Sequence, residues 1–254
     1  MAAEVSRVVV LGASNLTRGF PTVVSEARAR WGPDVEVLVA HGLGRSYGAS
    51  SRVLACTLPG ILQSGVWRAL DSLPSAGTRA FVTDVGNDVL YGYPAEQILT
   101  WVEETAVRLR RVATDVTLTD LPLSSVRRLS RAWFLVCRTV FYPSSRLALA
   151  QALDAAEAVS AGLAKLAVSH NLRFVRPSPE WYGADPIHIR RPLWRSAWQE
   201  ILGTGDSPRS GISSFSETVQ LRLLRPERWW LFGIEQRTPQ AGTALPSGGK
   251  VWVY

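Results

Sequence analysis

The chain has 254 residues, of which 46% are apolar and 19% charged, and its formal net charge is +7. This is the composition of an ordinary globular protein that is long enough to bury a sizeable core. The two cysteines, Cys56 and Cys137, are too few for a disulfide framework or a four-ligand zinc site.

The positive charge comes almost entirely from arginine, a residue that pairs with nucleic acids, anionic membranes and acidic substrates. The chain contains no arginine- or lysine-rich run of the nucleic-acid-binding type, so we expect no nucleic-acid partner. No apolar stretch approaches the roughly 20 residues that span a bilayer, and the N-terminus lacks the pattern of a signal peptide. A cytoplasmic protein is therefore expected.

Five short apolar runs predict strands that are buried on both faces. They occupy residues 8–11, 35–40, 80–85, 116–119 and 172–175. Helical patterns cover residues 22–31, 94–112, 149–167 and 194–202, and Pro94 stands where a helix tolerates proline. This alternation predicts an α/β fold with three α/β/α layers around a five-stranded, mainly parallel sheet.

Two segments fall outside this alternation. Residues 123–147 form an insertion that is rich in aromatic residues and arginine. Residues 204–217 are rich in Gly, Ser and Pro, which predicts a linker. Strand-like runs at 219–223, 229–232 and 251–254 then predict a small antiparallel appendage. We therefore expect an α/β domain over residues 1–203 and a β-rich extension over residues 204–254.

The loops after the first three strands are expected to meet, because ligand sites lie at the carboxyl ends of parallel strands. These loops are residues 12–17, 41–48 and 86–93. The first contains Gly12-Ala13-Ser14-Asn15, a turn that suits either a cofactor's phosphates or a serine nucleophile. The cofactor interpretation fails, because the next glycine is Gly19 and the second strand does not end in an acidic residue.

A serine nucleophile needs a base, and the base needs an orienting group. His188 follows Asp185 by three residues, so the carboxylate can reach the imidazole within one turn of chain. His41 ends the second predicted strand and either lines the pocket or supports the structure, whereas His170 is expected to end a helix. In the third loop, Asn87 offers an amide that can donate to a developing oxyanion.

Taken together, four motifs in this order resemble the SGNH hydrolases, also called GDSL esterases and lipases. They are Gly12-Ala13-Ser14-Asn15-Leu16, His41-Gly42-Leu43-Gly44-Arg45-Ser46, Gly86-Asn87-Asp88 and Asp185-Pro186-Ile187-His188. Each follows the expected strand, and the resemblance spans about residues 5–203. The chain departs from the family at Ala13, where aspartate is usual, and in the second motif, which lacks the common Ser or Thr pattern.

The resemblance implies a flavodoxin-like SGNH fold and hydrolysis of a small-molecule ester without a metal or cofactor. Ser14 would be the nucleophile, His188 the general base and acid, and Asp185 its orienting partner. The oxyanion hole would combine the backbone N–H groups of Ser14 and Gly44 with the Asn87 amide. Gly42 is the alternative glycine. Residues expected to line or support the pocket are Asn15, His41, Gly42 and Asp88.

The insertion supplies the one indication of the substrate. Its apolar residues lie beside arginines: Trp133, Phe134, Leu135, Val136, Val140, Phe141 and Tyr142 beside Arg127, Arg128, Arg131 and Arg138. Residues 127–142 are either a lid that lines an acyl pocket or contacts an anionic membrane, or a core helix with outward arginines. A second hypothesis is a catalytically silent binding or scaffold protein, suggested by Ala13 and by the tail around Trp229 and Trp230.

Overall fold

A computed structural model describes residues 5–142, 145–205 and 214–254. Within these ranges, the strands belong to two sheets. Their bounds are β1 (Val5–Leu11), β2 (Glu36–Ala40), β3 (Ser51–Val53), β4 (Cys56–Leu58), β5 (Gly77–Val82), β6 (Asp115–Thr119), β7 (Arg173–Val175), β8 (Arg228–Leu231), β9 (Ile234–Arg237), β10 (Thr243–Ala244) and β11 (Lys250–Val253). The larger sheet has the order β10-β11-β2-β1-β5-β6-β7, and all its pairs are parallel except β10–β11.

Helices cover both faces of this sheet. Their bounds are α1 (Ser14–Trp31), α2 (Val66–Ser72), α3 (Asn87–Leu90), α4 (Ala95–Arg110), α5 (Leu123–Val126), α6 (Arg131–Phe141), α7 (Leu149–Ser169), α8 (Trp194–Leu202) and α9 (Phe215–Leu223). One core packs α2, α4 and α7 against the sheet, and the other packs α1, α8 and α9. No helix in the described ranges is both long and apolar enough to cross a membrane.

The central strand β1 explains why an unbroken apolar run predicts a buried strand. Successive side chains point to opposite faces of a sheet. Val9 and Leu11 therefore enter the core beneath α4 and α7, while Val8 and Val10 enter the core beneath α1 and α8. The five predicted strands are confirmed as β1, β2, β5, β6 and β7, although β5 ends at Val82 rather than at residue 85.

The C-terminal part contains the expected β structure, but two of its strands join the larger sheet. Strand β11 lies parallel beside β2, with Val251 to Val253 buried, and β10 follows it, so the sheet has seven strands rather than five. Without β11, β2 would be an edge strand with unpaired backbone groups. Strands β8 and β9 pair with β3 and β4 in a separate four-stranded antiparallel sheet.

The prediction of a strand at residues 219–223 is wrong, because these residues lie in helix α9. The alternation of Val219, Leu221 and Leu223 suggested a strand, yet only Leu221 is buried. The helix begins after Ser214, whose Oγ accepts a hydrogen bond from the Glu217 N–H at 3.2 Å. In the predicted linker, residues 206–213 lie outside the described residues, and the division of the chain at residue 203 stays a prediction.

Candidate active site

The first motif forms the junction between β1 and α1. Gly12 donates its N–H to the carbonyl of Ala40 at 3.0 Å, and a Cβ at Gly12 would lie 2.2 Å from Thr83 Oγ1. The junction therefore requires glycine. Ser14 is the first residue of α1, is 8% exposed and lines a cavity at the carboxyl ends of the strands. This is the position predicted for the nucleophile.

Asp84, which belongs to none of the four motifs, holds this junction in place. Its Oδ2 accepts hydrogen bonds from the backbone N–H groups of Ala13, Asn15 and Leu16 at 2.9, 3.0 and 3.1 Å. The Ser14 N–H is not among these donors. A carboxylate also complements the positive end of the helix dipole. The sequence contains one indication of this role, which is an acidic residue near the end of the third apolar run. Because the pattern predicts a strand over residues 80–85, it does not place Asp84 in the loop at the site.

The fourth motif forms the predicted carboxylate–imidazole pair. Asp185 Oδ2 lies 2.6 Å from His188 Nδ1, and Asp185 Oδ1 accepts the backbone N–H groups of Ile187 and His188 at 3.2 and 3.3 Å. Because a carboxylate accepts, Nδ1 carries the proton in the neutral ring and Nε2 is left as the acceptor. Asp185 thus sets the tautomer that a general base needs.

The pKa of Asp185 is lowered overall. Burial raises it, but the hydrogen bond and the charge of His188 outweigh burial, with smaller contributions from the Ile187 N–H and from Arg18. The Arg18 guanidinium lies 3.8 Å from Asp185 Oδ2. The carboxylate is therefore ionised at neutral pH and faces the imidazole as a negative charge.

Asn15 links the first motif to the fourth. Its Nδ2 donates to the Ile187 carbonyl at 2.9 Å and to Asp84 Oδ1 at 2.8 Å, and its Oδ1 accepts the Ile189 N–H at 2.8 Å. The amide of Asn15 thus forms hydrogen bonds with the backbone on both sides of His188. This clamp places the histidine next to the start of α1, although more than 170 residues separate the two segments.

Of the two candidate glycines in the second motif, the structure places Gly44 in the cavity wall. Gly44 has φ +62°, and a Cβ there would lie 2.6 Å from Val53 Cγ2. Gly42 is buried, and a Cβ there would lie 2.0 Å from Leu58 Cδ1. Gly42 is not among the residues that line the described cavity. The geometry therefore favours Gly44 as the glycine that faces a substrate.

Asn87 also lines the cavity, with both ends of its amide engaged. Its Nδ2 donates to the Asp84 carbonyl at 3.2 Å, and its Oδ1 accepts the Tyr142 hydroxyl at 2.8 Å. An amide nitrogen has two hydrogens, so the bond to Asp84 uses one of them. The second hydrogen is the one that an oxyanion can use.

His41, a candidate pocket residue, does not line this cavity. Its Nδ1 lies 2.9 Å from Thr17 Oγ1, and its ring packs against Phe20 with centroids 5.0 Å apart. Burial, and then the charge of Arg45, lower the pKa of His41 to about 3. The ring is therefore neutral at neutral pH and supports the start of α1 from the sheet side.

Asp88, the other supporting candidate, also lies away from the cavity wall and ties two loops together. Its Oδ2 accepts the Tyr47 N–H at 2.9 Å, which joins the third motif to the loop after β2. The side chain is fully buried. Burial raises the pKa of Asp88 to about 6, partly offset by hydrogen bonds from Ser46 and Tyr47.

The cavity has a volume of about 490 Å³ and a largely apolar wall. Helices α5, α6 and α7 supply much of this wall, so the insertion lines the cavity. Leu43, Val136 and Val140 belong to the wall and are still 48 to 51% exposed, which places them at the opening. The side chains of Trp133 and Phe141 and residues 143–144 of the insertion lie outside the described residues.

The structure thus brings Ser14, Asn15, Gly44, Asn87 and the Asp185–His188 pair to one cavity. Within the described part of the chain, no hydrogen bond joins Ser14 to His188, and no group of His, Cys, Asp and Glu residues is arranged to hold a metal ion.

No protein-family model and no curated protein matches the chain. The solved structures that are similar in fold include two esterases. The carbohydrate acetylesterase Est24 from Sinorhizobium meliloti has a TM-score of 0.50 at 14% identity, over 78% of this chain and 99% of its own. The M. smegmatis aryl esterase has a TM-score of 0.50 at 14% identity, over 81% and 100%. These likenesses concern the fold, and they confirm the predicted three-layer α/β/α fold.

Proposed function

We propose that this protein is a serine hydrolase that cleaves carboxylic esters through an acyl-enzyme intermediate. The observation that carries the proposal is the 2.6 Å contact between Asp185 and His188 on the wall of a cavity that Ser14 also lines. Nucleophile, base and orienting carboxylate are the three groups that acyl transfer to water requires. The likeness of the fold to two proteins named as esterases supports the same reaction.

In the proposed reaction, Ser14 Oγ attacks the ester carbonyl while His188 Nε2 takes the proton of the serine hydroxyl. The imidazolium that forms is stabilised by Asp185, whose lowered pKa keeps it ionised. The proposed reaction requires Ser14 Oγ and His188 Nε2 to come within hydrogen-bond distance. This contact between nucleophile and base is often looser in free enzymes. The imidazolium then protonates the leaving alcohol, and water releases the acyl group by the reverse steps.

The negative oxygen of the tetrahedral intermediate would accept from the Ser14 N–H, the Gly44 N–H and the Asn87 amide. Asp84 occupies the N–H groups on both sides of Ser14, which reserves the Ser14 N–H for this role. The position at the start of α1 adds the positive end of a helix dipole. Loss of one such donor costs on the order of 10²–10³ in kcat.

The cavity supports an ester with an apolar acyl group as the substrate. Its wall is predominantly aliphatic, and polar groups converge near Ser14. Burial of each methylene is worth about 0.8 kcal/mol, so such a wall favours a hydrocarbon chain. Contact of residues 127–142 with an anionic lipid surface, a cytoplasmic location and the absence of a nucleic-acid partner stay predictions.

The test is a panel of p-nitrophenyl esters of increasing acyl length, combined with labelling by a fluorophosphonate. We expect Ser14→Ala and His188→Ala to abolish turnover and labelling while the fold, followed by circular dichroism, is retained. Ser72→Ala, at the exposed end of α2, is the matched control and should keep both. Neither turnover nor labelling in the wild-type protein would instead support the scaffold hypothesis.

A further inference from the structure

Tyr142 contacts the amide of Asn87 from the insertion. Its hydroxyl donates to Asn87 Oδ1 at 2.8 Å, and the side chain is buried. The Nδ2 atom of Asn87 donates to the Asp84 carbonyl, a group that can only accept hydrogen bonds. These two bonds fix the positions of Nδ2 and Oδ1 in the Asn87 side chain. They leave the second N–H of Nδ2 for the cavity.

Tyr91 makes the equivalent contact with the other side of the site. Its hydroxyl donates to the carbonyl of Gly44 at 2.9 Å, and Gly44 has the left-handed φ of +62°. Burial raises the pKa of Tyr91, so the hydroxyl keeps its proton at neutral pH. The loop that carries the Gly44 N–H is thereby held by a side chain from the segment after α3.

The two tyrosines also pack against each other. Their ring centroids are 4.8 Å apart and their planes meet at 79°, an edge-to-face arrangement. A Cβ at Gly44 would lie 3.3 Å from the Tyr91 hydroxyl and 3.5 Å from that of Tyr142. One aromatic pair therefore adjoins two of the three donors assigned to the oxyanion hole, Gly44 and Asn87.

On the basis of the proposed function, we infer that Tyr142 and Tyr91 are positioning residues of the oxyanion hole. Tyr142 aims the Asn87 amide, and Tyr91 holds the backbone of Gly44. Since Tyr142 directly follows α6, the insertion then contributes to transition-state stabilisation as well as to the cavity wall. A displacement of α6 would withdraw Tyr142 and release the amide.

Removal of one hydroxyl leaves the ring and its packing in place. A net hydrogen bond of ordinary strength corresponds to roughly a 3- to 10-fold change. We therefore expect Tyr142→Phe and Tyr91→Phe each to lower kcat about 3- to 10-fold, with little change in KM. The effect falls on kcat because the donors engage the oxyanion and not the ground-state ester.

The experiment measures kcat and KM with an acetate ester, which is too short to depend on the apolar wall. Tyr93→Phe is the matched control, since Tyr93 packs 6.4 Å from Tyr91 in the same aromatic cluster without contacting either donor. The decisive comparison is Asn87→Ala against Asn87→Ala/Tyr142→Phe. If Tyr142 acts through Asn87, the second substitution has no further effect. Thermal melting confirms that each variant folds.

Two results overturn the inference alone. One is a wild-type kcat in Tyr142→Phe, and the other is an equal loss of kcat when Tyr142→Phe is introduced into the wild-type protein and into Asn87→Ala. Both leave the proposed function intact if Ser14→Ala is inactive. Activity that survives Ser14→Ala, or a wild-type protein inactive towards every ester, overturns the proposed function and this inference with it. The two failures are thus distinguishable in one set of variants.

Discussion

Substitution of Ala152 by leucine tests whether the acyl chain of the ester occupies the apolar cavity. Ala152 lies on α7, is buried and lines the same cavity as Ser14. Leucine adds three carbon atoms, which project into a space of about 490 Å³. The added side chain carries no polar group, so the substitution changes the volume of the cavity and leaves its chemistry unaltered.

The expected loss of kcat/KM follows from the free energy that is lost when methylenes of the acyl chain no longer contact the cavity wall. Each buried methylene contributes about 0.8 kcal/mol, so kcat/KM of the wild-type protein should rise roughly 4-fold per methylene until the cavity is full. Three added carbons displace about three methylenes, worth about 2.4 kcal/mol. Ala152→Leu should therefore lower kcat/KM about 60-fold for the longest esters that the wild type accepts, and leave acetate unchanged.

The assay is kcat/KM along a series of p-nitrophenyl esters from acetate upwards. Ala158→Leu is the matched control, because Ala158 is an exposed residue of the same helix. It should reproduce the wild-type profile. An equal loss at every chain length would show that Ala152 affects the site itself, and an unchanged profile would show that the acyl chain lies elsewhere. Either result refutes the assignment of the cavity.

Three further predictions concern the acidic residues around the site. Asp84→Ala should lower the free energy of unfolding in urea by about 2–4 kcal/mol, because backbone N–H groups and the Asn15 amide lose their acceptor; an unchanged midpoint contradicts this. For Asp88, the pKa of about 6 lies above the ordinary 3.8, so the native state binds the proton more tightly and its stability falls as pH rises from about 4 to above 6. The stability of Asp88→Asn relative to wild type should thus increase by about 2 kcal/mol between pH 4 and pH 7, and a difference that does not change with pH contradicts this expectation. Asp185→Asn should lower kcat on the order of 10³–10⁴, because His188 loses the partner that sets its tautomer, and a loss below about threefold contradicts this role.

The sequence by itself determined the central architecture. Runs of β-branched and apolar residues favour buried strands, so β1, β2, β5, β6 and β7 were predictable from local pattern. The pairing of Asp185 with His188 was predictable for a similar reason. The two residues stand three positions apart in the chain, so one turn of chain is enough to bring their side chains together.

Tertiary structure decided which residues support this machinery. Asp84 holds the start of α1 from 71 residues away, and Tyr142 reaches Asn87 from 55 residues away. No periodicity or motif records such a pairing, because it depends on how loops from different strands meet at one edge of the sheet.

The same reason explains the errors at the C-terminus. Residues 219–223 alternate like a strand, but packing against α1 selects a helix, in which Glu217 pairs with Arg28 at 2.7 Å. Residues 250–253 form a strand as expected, but the free edge of β2 determines where that strand goes. Local sequence thus specified five strands of the larger sheet, while burial against distant partners decided the conformation of residues 219–223 and the position of β11.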